Sequence, residues 1–188
     1  MSIRSALSRR AVRAAAVAGV VAVTVGTAGT ALASTSSAPR VTGYAPTEQC
    51  LNWSGTVKYF PALTTTSHKV TAVIDATLSN CNFLGTAQTF SGSVFGVLSG
   101  TATKSGATLS GNLAVTWPSD ANLNPTISPV SLSTASNVYS FFGTPTAGAG
   151  TGQVLNGAYA VIGSSKTTGG TQENILGSAP FQLEVNEG

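Results

Sequence analysis

Charge is what this chain has least of: 8% of its 188 residues are Asp, Glu, Lys or Arg. The few cations are also badly spread for binding polyanions. Arg4, Arg9, Arg10 and Arg13 crowd the N-terminus, while Arg40, Lys58, Lys69, Lys104 and Lys166 are scattered singly. Once the N-terminal group is set aside, five basic residues face six acidic ones, a net charge of −1. The basic balance of the whole chain therefore belongs to its first few residues. No cluster remains to neutralise nucleic-acid phosphates, and none to hold an anionic membrane, so neither partner is expected.

Histidine is nearly absent too. His68 stands alone, in Thr64-Thr65-Thr66-Ser67-His68-Lys69, and reads as a solvated loop residue. One imidazole cannot build a zinc site. A serine nucleophile needs a base, and neither Gly-x-Ser-x-Gly nor Ser-x-x-Lys occurs. Paired carboxylates are equally hard to assemble. Asp75 and Glu184 alternate with apolar residues and are expected to face water, and Asp120 sits in a turn with Asn122 and Asn124. That Asp-Asn-Asn alternation resembles calcium ligands, but Pro125 follows it and no acidic anchor comes later. Gly148-Ala149-Gly150-Thr151-Gly152 carries no Lys and opens no helix, so it is a loop and no phosphate cradle. No catalytic residue, metal or cofactor is expected.

What is present begins with an export pattern. The arginine-rich start leads into apolar, small residues from Ala14 to Gly26, and Ala31-Leu32-Ala33 supplies small residues for a signal peptidase. Thr24, Gly26 and Thr27 interrupt the apolar stretch before it reaches the roughly 20 residues of a membrane span. Residues 1–33 are read as a signal peptide cleaved after Ala33. General secretion suits the sequence better than twin-arginine export, because Ala11-Val12-Arg13 follows Ser8-Arg9-Arg10 poorly. The released protein is expected to be secreted and extracellular. In that setting two cysteines, Cys50 and Cys81, read as one disulfide.

Residues 34–49, rich in Ser, Thr, Pro and Gly, read as a flexible lead-in, and residues 50–188 as a single β-domain. Trp53, Val57 and Tyr59 share one strand face, with Gly55 between them. Val70, Ala72, Ile74, Ala76 and Leu78 share a second, and Leu109, Leu113, Val115 and Trp117 a third. Phe181, Leu183 and Val185 make a last one. A period of two in so many segments means half-buried strands. Weaker strands are expected near 90–99, 126–133, 136–142 and 153–163, separated by Gly-, Pro- and Asn-rich turns. Short, regularly spaced strands imply an all-β antiparallel sandwich, with a β-barrel as the alternative.

The segment Gly55-Thr56-Val57-Lys58-Tyr59-Phe60-Pro61-Ala62-Leu63, then Leu78-Ser79-Asn80-Cys81, then Leu109-Ser110-Gly111 leading to Val115-Thr116-Trp117 are loose motifs in a definite order. In that order the chain resembles small secreted β-rich actinobacterial proteins, over most of its exported part. The 116–124 region departs from the Gly-rich turn that usually follows the Trp in that group. The resemblance implies a secreted β fold, implies no activity and transfers no site residue.

Two adjacent aromatic pairs, Tyr59-Phe60 and Phe141-Phe142, cannot both enter one core from a regular strand. If Tyr139 and Phe141 face inward, Phe142 faces out. Phe142 and Phe60 are therefore the candidate binding surface, with the 143–152 loop beside Phe142. The composition favours a non-enzymatic extracellular β-domain that binds cell-envelope carbohydrate or an extracellular protein partner. Three alternatives stay open: a small-ligand-binding β-barrel, a protease inhibitor presenting the 61–69 loop, and a secreted hydrolase.

Overall fold

The period-two segments form strands in the computed structural model, which describes residues 47–119, 125–135 and 137–185; Trp117 and Val185 fall just past their strands, Trp117 buried and Val185 exposed instead of sharing the inward face of Phe181 and Leu183. In chain order these are β1 (Glu48–Phe60), β2 (His68–Phe83), a two-residue β3 (Thr86–Ala87), β4 (Gly92–Thr103) and β5 (Gly106–Thr116). They continue as β6 (Thr126–Ala135), β7 (Val138–Gly143), β8 (Val154–Thr167) and β9 (Gly170–Glu184). The expected signal peptide and most of the expected lead-in lie outside the described residues. β1 begins inside that lead-in, at Glu48, because Glu48 and Gln49 already pair with both β2 and β9.

Each long strand pairs antiparallel with its neighbour, in the order β1-β2-β4-β5-β6-β7-β8-β9, and β1 also pairs with β9. This second pairing closes the sheet. The expectation of an antiparallel all-β domain holds, and the chain takes the barrel form instead of the sandwich. A sandwich leaves edge strands in each sheet, whereas here the first and last long strands cover one another's edges. β3 is the one addition, an extension of β2 at its C-terminal end.

Eight strands enclose an interior that side chains can fill. The inward residues of β2, β4 and β5 are aliphatic: Ile74, Leu78, Val94, Leu98, Leu113 and Val115 are all buried. The opposite wall is aromatic. Trp53 meets Phe141, Tyr159 and Phe181 edge-on at centroid distances of 5.9, 5.6 and 5.5 Å. A β-bulge in β1, between Cys50 and Ser54, lets both Cys50 and Trp53 face inward although their numbers differ in parity. Gly177 makes room for the indole, since a Cβ there would stand 2.3 Å from the Trp53 ring.

The two ends of the barrel differ. At the end where β1 starts and β9 stops, Trp117 and Phe181 fill the bore, their centroids 5.6 Å apart. The Trp117 Nε1–H donates to Thr126 Oγ1 at 2.9 Å, and the Thr126 hydroxyl donates to Ala149 O at 2.7 Å. Ala147 pairs with Ile127, and Gly150 lies against Leu183. The 143–152 loop is thus folded onto this end and plugs it. Cys50 and Cys81, directly opposite on β1 and β2, form the expected disulfide near the same end.

Candidate functional site

The other end is open. There the β1–β2 connection, the turns at 104–105 and 137, and the ends of β8 and β9 surround a cavity of about 870 Å³. The β1–β2 connection is anchored across part of it. Leu63 is buried, its backbone N–H donates to Thr171 Oγ1 at 2.9 Å, and the Lys104 N–H donates to Thr64 O at 2.8 Å. Leu63 is tucked inward, while Pro61 and residues 64–67 of the same connection are exposed.

The floor of the mouth consists of Tyr139, Val161, Thr171 and Glu173. Residues 171, 173 and 175 alternate inward on β9, which places the Glu173 carboxyl inside the barrel with 3% of the residue exposed. Tyr59 and Tyr159, both fully buried, lie beside it. The Tyr139 and Tyr159 rings stack with centroids 5.0 Å apart and planes 3° from parallel. Three oxygens in this group, Tyr59 Oη, Tyr159 Oη and Glu173 Oε2, are buried with no close, well-aligned hydrogen bond, although the Tyr59 hydroxyl is near enough to the Glu173 carboxyl to favour its charged form. Lys104 and Lys166 stand exposed at the rim.

Burial sets the electrostatics. It raises the Glu173 carboxyl from 4.5 to about 6, partly offset by the Tyr59 hydroxyl. Burial likewise pushes all three tyrosines up, Tyr139 to about 12, with the Glu173 charge adding to the effect. An acid whose pKa is raised on folding favours the folded state while protonated. Its contribution is complete below pH 4.5 and is lost as the pH rises through about 6. Removing the charge should therefore stabilise the protein at neutral pH only. Glu173→Gln is expected to gain about 2 kcal/mol at pH 7.5, a Tm rise of roughly 4–8 °C, and nothing below pH 4.5. Thermal melts of both proteins across that range check it. An equal gain at pH 4 and pH 7.5 would show that the carboxylate is not strained by burial.

The residues singled out from the sequence are placed elsewhere. Phe142 faces outward from β7, half exposed, while Tyr139 and Phe141 face inward, as the pleat requires. Phe60 is also partly exposed, at the end of β1. Each borders its own shallow depression on the outer wall, Phe60 with Lys69 and Thr101, Phe142 with Pro129 and Ser131. The two are not brought into one site, and the 143–152 loop covers the plugged end instead of Phe142. Phe142→Ser should shift the Tm by about 2 °C or less, the range of an exposed substitution. A drop of many degrees in a melting curve would place the ring in the core.

Asp75 is exposed, as expected. His68 is half-buried at the first position of β2, its Nδ1 3.0 Å from Thr66 O, and it does not line the mouth. Glu184 accepts a hydrogen bond from Asn156 Nδ2 at 3.1 Å. Asp120, Asn122 and Asn124 lie outside the described residues. Among the described residues no cluster of His, Cys, Asp or Glu could hold a metal ion. Glu173 was missed by sequence reasoning. Its signal was a two-residue alternation, Thr171-Glu173-Ile175, in which two of the three inward positions are polar.

Comparison of the chain with protein-family models, with curated proteins and with solved structures finds no match.

Proposed function

We propose that this chain is a secreted binding protein that holds a small molecule in the open mouth of its barrel. One observation carries the reading: a buried carboxylate, with no cation beside it and no close hydrogen bond at Oε2, forms part of the floor of an open cavity. A buried polar group lacking partners costs stability, and such groups gather where a ligand supplies what is missing. The end of a barrel is a usual place for a small-ligand site, and here hydroxyl, amide and charged side chains surround an apolar patch of Leu63, Val161 and Tyr139. The choice of binding over turnover rests on Glu173 being the only acid in the lining, with no imidazole beside it. Secretion rests on the arginine-rich, apolar N-terminus together with a buried disulfide, which is at home in oxidising compartments.

The mouth replaces the outer aromatics as the favoured surface, because Phe60 and Phe142 border only shallow, separate depressions. Backbone amide shifts of the labelled protein, recorded with a panel of small neutral, anionic and cationic fragments, test this. The shifts are expected to cluster at Leu63, Tyr139, Val161 and Thr171. Clustering around Phe142 and Ser131 would overturn it in favour of the outer wall.

A further inference from the structure

Resting on that reading of the mouth, we infer that its ligand carries a primary ammonium group, which docks on Glu173, and an anionic group at its far end. The floor supplies the first half. The Glu173 carboxyl is the one acidic group in the cavity lining, and the phenol rings of Tyr59 and Tyr159 close the barrel behind it. An ammonium group has three N–H donors and no acceptor, so it suits a carboxylate with the Thr171 hydroxyl beside it in the lining. A hydroxyl group offers only one donor. The Tyr139 ring, held in place by stacking on Tyr159, adds a π-rich surface to the lining near the carboxylate, which also favours a cation. A carboxylate or phosphate head would instead meet like charge at Glu173.

The rim supplies the second half. Lys104, on the β4–β5 turn, and Lys166, near the end of β8, both border the cavity and are exposed. Charge along the bore thus runs from negative at the floor to positive at the rim. A ligand inserted amine first, with an anion trailing, matches both. The Ser164, Ser165, Thr64 and Asn137 side chains around the same mouth offer polar contacts between the two ends.

This assignment makes binding depend on pH. The groups facing Glu173 are Tyr59 from β1, Tyr139 from β7 and Tyr159 from β8, with Lys104 and Lys166 at the rim. All three tyrosines are held neutral by burial, and an alkylammonium keeps its charge far above neutrality. Glu173 is then the group that titrates between pH 5 and pH 8. With its carboxyl at about 6, an ammonium ligand should bind roughly tenfold more weakly at pH 5 than at pH 8.

Three probes of equal chain length separate the terms: 6-aminohexanoate, hexylamine and hexanoate, titrated calorimetrically and by amide shifts. The expected order of affinity is 6-aminohexanoate, then hexylamine, with hexanoate last. Glu173→Gln should weaken both amines at least tenfold at pH 8 and abolish their pH dependence. Because that variant is expected to be more stable than the parent, a folded sample is available, and the pH titration of the unaltered protein provides an independent readout. Hexanoate binding as tightly as hexylamine, or amine binding that ignores both pH and Glu173, overturns the ammonium assignment. If neutral fragments shift the mouth amides while amines do not, the mouth remains a binding site and only its ligand class fails. If no fragment shifts them, the mouth reading fails as well.

Discussion

Trp53→Ala should lower the melting temperature by roughly 10–20 °C, the largest effect of any single substitution considered. The indole is 2% exposed and stands edge-on to three other rings, so truncation opens a void on the aromatic side of the barrel. Large aromatic truncations of this kind cost about 3–5 kcal/mol, partly as lost transfer and partly as unfilled volume. The Nε1–H also donates to Ala179 O at 3.0 Å, and alanine leaves that carbonyl without its donor. Collapse cannot recover much. Gly177 and Gly157 lie against Trp53 and Phe141 respectively, and glycine has no side chain to move into the space. Trp53→Phe should lose appreciably less, because it keeps a ring in the void. Circular-dichroism melts of the three proteins decide it, and a Tm loss of only a few degrees for Trp53→Ala would mean that Trp53 is not central to the core.

Replacing both Cys50 and Cys81 with alanine should cost about 3–4 kcal/mol. The bond joins residues 31 apart in sequence, and closing a loop of that length restricts the unfolded chain by about this much. The native barrel does little to compensate. Cys50 and Cys81 are directly opposed on β1 and β2, and Cys50 also pairs with Phe181 on β9. The denaturant midpoint of the double variant should fall accordingly, and reduction of the unaltered protein should produce nearly the same fall. A midpoint that reduction leaves in place would show that the bond does not constrain the unfolded chain.

The sequence made the strands legible wherever their inward residues were apolar. The faces of β1, β2 and β5 were read residue by residue, and Trp53, Trp117, Tyr139 and Phe141 lie on the sides their parity assigned. Closure was not legible. Whether β1 meets β9 depends on strand tilt and register summed around eight strands, and no local pattern records that sum. The first half of β9 was overlooked for a reason tied to the site itself. An inward row that reads Thr171, Glu173, Ile175 shows no apolar alternation, so the periodicity that finds strands fails where a polar group has been turned inward. Glu173 consequently went unnoticed among the acids. The outer aromatics drew attention instead, because adjacent rings are conspicuous in sequence and a single inward carboxylate is not. Conflict between a residue and its position is expected at functional sites.

The up-and-down path of the chain also orients the molecule. β1 starts and β9 stops at the plugged end, beside the disulfide, while the mouth opens at the far end of the bore. Glu48 lies opposite Leu183 in the sheet. A surface, a fusion partner or a fluorophore attached ahead of β1 or behind β9 would therefore take hold of the same pole. Anchored by either strand, the barrel would stand upright with its mouth turned away from the support.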